Sequence, residues 1–100
     1  MRPRLVDHPT VRADWARRGY SCELWIDPPD RVWHDFQHET DLLLLLLEGA
    51  IRIELPDRTI RLEVGDEVGI PAHTRFTIRH AGEQPARWLH GYREGQAAAG

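Results

Sequence analysis

The chain of 100 residues holds a single cysteine, Cys22, which excludes a disulfide framework and any cysteine-based zinc site. Long apolar runs are missing too. The six leucines at 42–47 are the longest, far short of the roughly 18 residues a membrane-spanning helix needs. The start, M-R-P-R-L-V-D-H-P, has a basic flank but no apolar core behind it, so no secretory leader is expected and the cytoplasm is the default location. There is no basic excess: 13 Lys and Arg against 16 Asp and Glu give a formal charge of −3, which is no footprint for nucleic acid. Arg12, Arg17 and Arg18 cluster, but as a solvated helix face. No repeat or linker divides the chain, so one domain with a modest core is expected.

What the sequence does have is concentrated at 32–50, V-W-H-D-F-Q-H-E-T-D-L-L-L-L-L-L-E-G-A. Histidines and acids lead into the leucines, and Gly49 stops the run. The segment continues directly into a period-two stretch, Ile51, Ile53 and Leu55. A short unbroken apolar run with turn signals around it reads as a strand buried on both faces.

The rest falls into short elements. Residues 1–9 read as an irregular arm, and Thr10 as the N-cap of a helix through Arg18, with Val11 and Trp15 on one side and Gly19 as the stop. The run Y-S-C-E-L-W-I alternates, with Tyr20, Cys22, Leu24 and Ile26 on one face, and ends at D-P-P-D. A strand over 31–38 puts Val32, His34, Phe36 and His38 on one face and Trp33, Asp35 and Gln37 on the other. I-R-I-E-L and T-I-R-L-E-V form a hairpin across P-D-R. A Pro-containing loop and two more strands follow, ending at A-R-W-L-H-G-Y. The arm and helix occupy 1–19, the strands 20–92, and a frayed tail 93–100. Many short strands with frequent turns indicate an all-β sandwich or barrel.

The order of elements resembles the small single-domain cupins. Their pattern has two parts, G-x5-H-x-H-x3/4-E-x6-G and G-x5-P-x-G-x2-H-x3-N. Here the matching segments are Phe36-x-His38-x3-Leu42-x6-Gly49 and Gly65-x5-Pro71-x-His73-x2-Phe76-x3-His80. The framework residues Gly49, Gly65, Asp66 and Pro71 fall in place. The approach D-P-P-D-R-V-W and the ending A-R-W-L-H-G-Y also look like one group of uncharacterised bacterial cupins. The resemblance covers about residues 20–92. It implies a double-stranded β-helix, a jelly-roll barrel with a short N-terminal helix in front, and a divalent metal held inside by the histidines and glutamate of the pattern. Of those four ligand positions only His38 keeps a ligand; Phe36, Leu42 and Phe76 fill the others. A lone imidazole binds an ion weakly where zinc sites use three or four protein ligands. Each buried Leu or Phe contributes about 1.5–3 kcal/mol and favours a dry interior. The inherited metal site is therefore expected to be degenerate, and no cofactor is expected.

Three readings of His38 stay open, one of them an exposed or ligand-contacting side chain. Otherwise it is a buried neutral imidazole satisfied by a hydrogen bond, or it joins His90, with Glu39 or Asp41 giving oxygen, in a relocated metal site. His34 faces the same way, but four strand residues span about 13 Å, so both rings reach one ion at about 2.0–2.1 Å only if the strand bends. His73, where the pattern has glycine, reads as an exposed loop side chain, and His80 as pairing across a strand end. The expected ligand pocket is His34, Phe36, His38, Leu42, Leu44, Phe76, Ile78, Trp88 and His90. If Leu42, Leu44 and Leu46 line the barrel, then Leu43, Leu45 and Leu47 form an outer stripe that the N-terminal helix or a second subunit must cover. Small cupins often pair through these sheets, so a two-fold homodimer is expected. Three functions compete: a binder of a small organic ligand, a metal-dependent enzyme of oxygenase or isomerase type, and a structural dimer with a filled barrel. Fold analogy alone does not choose among them.

Overall fold

A computed structural model describes residues 7–95. It contains one helix and eight strands: α1 (His8–Arg17), β1 (Glu23–Asp27), β2 (Val32–Phe36), β3 (Leu42–Glu48), β4 (Ile51–Glu54), β5 (Thr59–Leu62), β6 (Glu67–Ile70), β7 (Phe76–His80) and β8 (Ala86–Tyr92). The strands form two antiparallel sheets in the orders β1-β8-β3-β6 and β2-β7-β4-β5, and these face each other as a jelly-roll barrel. No helix among the described residues is long and apolar enough to cross a membrane.

The leucine run is the central strand β3, held between β6 and β8. Leu42, Leu44 and Leu46 point inward with Ile51, Ile53, Ile70 and Ile78, all essentially buried. Leu43 and Leu45 point outward and are buried as well, under Val11 and Trp15 of α1, with Leu89 beside them and Leu47 at the margin. The helix thus covers the stripe within one chain, and the ground for expecting a second subunit there is removed. Trp15 donates its indole N–H to Glu67 on β6 at 2.9 Å, and Arg18 clasps the same carboxylate at 2.8 and 3.1 Å. Gly91 on β8 makes the seat. A Cβ there would stand 2.8 Å from the Trp15 ring and 2.1 Å from the Ser21 carbonyl.

The helix starts earlier than expected. Asp7, not Thr10, is its N-cap, and the Asp7 carboxylate accepts the Thr10 backbone N–H at 2.8 Å. Pro9 sits in the first turn, where its missing N–H costs nothing. The arm expected over 1–9 otherwise lies outside the described residues. Of the tail expected over 93–100, Arg93 and Glu94 are tied back to the barrel, their backbone N–H groups donating to the carbonyls of Asp41 at 3.0 Å and Gly19 at 2.8 Å. Residues from 96 onward lie outside the described residues.

Candidate functional site

A cavity of about 220 Å³ lies between the two sheets. Trp25 of β1, Leu42 of β3, and Trp88 and His90 of β8 line it from one sheet. Trp33 and Phe36 of β2 and Phe76 and Ile78 of β7 line it from the other, with His38 on the following loop. Phe36, 43% exposed, stands at the rim.

Seven of the nine residues expected in a pocket meet here; His34 and Leu44 do not. Leu44 is fully buried in the core but does not reach the cavity. His34 is exposed because the alternation of β2 breaks. Trp33 pairs with Ile78, while Phe36 pairs with Phe76, so three steps on β2 match two on β7. Asp35 takes up the extra residue at φ 53°, a β-bulge. The bulge turns Trp33 and Phe36 to the same side and sends His34 outward, contrary to strict alternation. Trp25 is the other residue that sequence patterning misses. Alternation along β1 separates Trp25 and Asp27 from Leu24 and Ile26, and the aliphatic pair is the exposed one.

The reason lies beneath the cavity. Asp27, 4% exposed, accepts the indole N–H groups of Trp33 and Trp88 on one oxygen, at 2.8 and 3.1 Å. A buried carboxylate is tolerated when it is hydrogen-bonded, and two tryptophans from opposite sheets supply the donors. The rings interlock: Trp25 meets Trp33 edge-on at 5.0 Å and 69°, and Trp33 meets Trp88 at 6.4 Å and 83°. His80 approaches the same Asp27 oxygen at 3.9 Å, beyond hydrogen-bonding distance. The partner expected for His80 across the strand end is not found among the described residues, and neither of its buried ring nitrogens has one.

His38 and His90 are the polar groups of the cavity. Their ring centroids are 6.4 Å apart. The Thr40 backbone N–H contacts His38 Nδ1 at 3.3 Å; a backbone N–H can only donate, so Nδ1 accepts and the proton sits on Nε2. His38 also stacks on Tyr92 at 5.8 Å. His90 packs against Trp25 and Trp88. Burial first, then the neighbouring His38, lowers its pKa below the ordinary value, so its imidazole is neutral at pH 7. Asp41 is turned away: one oxygen accepts the Ala72 N–H at 2.8 Å and the other faces Arg93 at 3.7 Å. Glu39 is exposed. Among the described residues no group of three or more His, Cys, Asp or Glu stands together to hold an ion.

A family model for the cupin domain matches residues 24–92. The chain belongs to the cupin domain family. Solved structures share this cupin's fold. A cupin superfamily protein from Desulfitobacterium hafniense aligns with a TM-score of 0.66 at 24% identity, over 74% of this chain and 66% of its own. A Cupin 2 conserved barrel domain protein from Salinispora arenicola gives 0.68 at 15% identity, over 93% and 74%. A DMSP lyase from Ruegeria pomeroyi gives 0.69 at 20% identity, over 81% of this chain and 41% of the lyase. The cupin thus spans less than two thirds of the Desulfitobacterium protein and of the lyase. At these identities the likeness is one of fold. No curated protein matches the chain. The four positions at which the cupin pattern places metal ligands, Phe36, His38, Leu42 and Phe76, all line the cavity. The pattern and the structure therefore mark the same place in the barrel.

Proposed function

We propose that this cupin binds a compact organic molecule in the barrel cavity, without a resident metal ion. The observation that carries the reading is the lining itself: three indoles, two phenyl rings, two aliphatic side chains and two imidazoles around about 220 Å³. That volume is below the roughly 300–1,000 Å³ of pockets for drug-sized ligands. It exceeds the apolar cavity of about 150 Å³ that takes up benzene. A ligand of about one ring fits. Apolar walls supply affinity through burial, and His38 Nε2–H and the neutral His90 ring supply one donor and one acceptor for a single polar substituent.

The donor set does not fit a metal ion. Hydrocarbon occupies three of the four family ligand positions, and Asp41 is engaged by Ala72 and Arg93. Two imidazoles alone fall short of the three or four protein ligands of zinc sites. The reading therefore includes no metal-dependent step.

The test uses the tryptophans as reporters, since Trp25, Trp33 and Trp88 line the cavity. Phenol, toluene and imidazole are titrated while intrinsic fluorescence is followed, with calorimetry in parallel. Saturable binding of at least one, abolished by Ile78→Trp to fill the cavity, is expected. A folded protein that binds none of a few hundred such fragments at millimolar concentration has a filled, structural barrel, and the proposal fails.

A further inference from the structure

We infer that the cavity prefers a compact onium ion, a quaternary ammonium or tertiary sulfonium, over its neutral isostere, because Asp27 places a buried negative charge behind the indole walls. The inference rests on the cavity's being a ligand site, as proposed above, and names the chemical class it selects.

Three observations carry it. The first is the wall. Trp33 meets Trp25 and Trp88 nearly at right angles, and all three indoles line the cavity, so the wall is built of the π-systems that attract cations. Trp33 already carries one: the Arg31 guanidinium carbon lies 4.3 Å from its ring centroid. The second is the charge. Both Trp33 and Trp88 donate their N–H groups to Asp27, and a carboxylate on the N–H edge makes an indole ring richer in electrons. Asp27 is almost fully buried, so water screens its field little. Asp27 also faces the buried His80 ring, whose Nε2 lies 3.9 Å from the same oxygen without a hydrogen bond. Arg31 is exposed, and its opposing charge is screened. His90, neutral at pH 7 through burial and the neighbouring His38, adds no positive charge, and Glu23 across the β1–β8 pair from it is acidic. The third is what the cavity lacks. No carboxylate is among the residues that line it, and the single acceptor of the His90 ring falls short of the three N–H donors of a primary ammonium, which would leave donors buried without partners. An onium ion has no N–H to satisfy. Its charge is spread over methyl groups that suit an apolar wall.

Choline and 3,3-dimethylbutan-1-ol have nearly the same shape and differ in charge, so they make the test. Both are titrated into the wild-type protein by calorimetry and tryptophan fluorescence, and into Asp27→Asn, which keeps an acceptor oxygen for the indoles but removes the charge. Choline is expected to bind at least tenfold more tightly than the alcohol, and the ratio is expected to shrink several-fold in the variant. Equal affinities, or tighter binding of the alcohol, would overturn the inference and leave the ligand-site proposal standing. Binding of neither, while phenol or toluene binds, overturns it too. A choline preference that Asp27→Asn leaves intact refutes the role given to Asp27. Should that variant unfold, Trp33→Phe keeps a ring but loses one N–H link, and the same loss of preference is expected there.

Discussion

His73 donates its backbone N–H to the carbonyl of His38 at 2.8 Å from a left-handed conformation, φ 64°. The loop before β7 is thereby fixed against the loop that carries a cavity histidine. The cupin pattern has glycine at this position, and the backbone shows why: an L-residue there costs roughly 1–2 kcal/mol. His73→Gly is expected to keep the fold and to change stability by no more than about 1 kcal/mol, because relief of strain offsets the entropy glycine loses on folding. His73→Val, β-branched in the same conformation, should cost more than about 1 kcal/mol. Urea denaturation of the three proteins checks the order; a valine variant as stable as the wild type would mean the strain is absent.

The face switch at the Asp35 bulge makes a second prediction. His34→Ala should leave fragment affinity unchanged, because His34 is exposed. Trp33→Ala, one residue earlier, should weaken it about tenfold or more. Strict alternation along β2 demands the reverse order, so calorimetry on the two variants decides between the readings.

How far the sequence could be read depends on which side of this bulge one stands. The strand at the leucine run follows from its apolar continuity, and the turns at Gly49 and Gly65 follow from their spacing, because both are local signals. Seven cavity residues follow from the cupin pattern and from alternation along β7 and β8. A bulge leaves no mark in an alternating sequence, since it is set by pairing with another strand, and so His34 and Trp33 exchange places unannounced. Trp25 and Asp27 are hidden for a different reason. A charged residue two positions from a tryptophan argues for an outward face, and only the two indole donors brought together by folding make Asp27 acceptable inside.

Gly91 supplies a third prediction. Gly91→Ala forces a methyl group against the Trp15 ring and the Ser21 backbone, and overpacking of this kind costs about 1–3 kcal/mol. The loss should appear in thermal melting as lower stability. A large-to-small control inside the barrel, Ile78→Val, should cost less, about 0.5–1.5 kcal/mol. Equal stability of Gly91→Ala and wild type would show that α1 sits elsewhere in solution.

Acidification should weaken the fold through His90. Its folded pKa lies below the ordinary value of about 6.5, chiefly from burial and then from His38. The unfolded chain therefore binds more protons than the folded one as pH falls below about 6.5, and stability declines with it until the depressed folded pKa is passed. Above about pH 6.5 the contribution is fully present. Urea midpoints measured between pH 8 and 5 should fall for the wild type and fall less for His90→Gln. Parallel slopes for the two proteins would remove His90 from the account.

Metal binding can be built where the family has it. Leu42 and Phe76 face the same cavity as His38, so Leu42→Glu with Phe76→His should raise zinc affinity at least a hundredfold over wild type in calorimetric titration. A folded double variant that binds zinc no better would show that the three positions do not converge on one ion.

The ten-residue helix α1 has a bearing on how the barrel stays in solution. Among the described residues it is what stands over Leu43 and Leu45, in the middle of a sheet whose edge strand β1 already exposes Ile26 at 62%. Detached from the sheet, it would leave aliphatic side chains continuous from β1 across β8 to β3, a surface of the kind that drives self-association. Trp15, Glu67 and Arg18 therefore act as a latch against aggregation. Variants that loosen the latch are expected to precipitate before they lose the cavity.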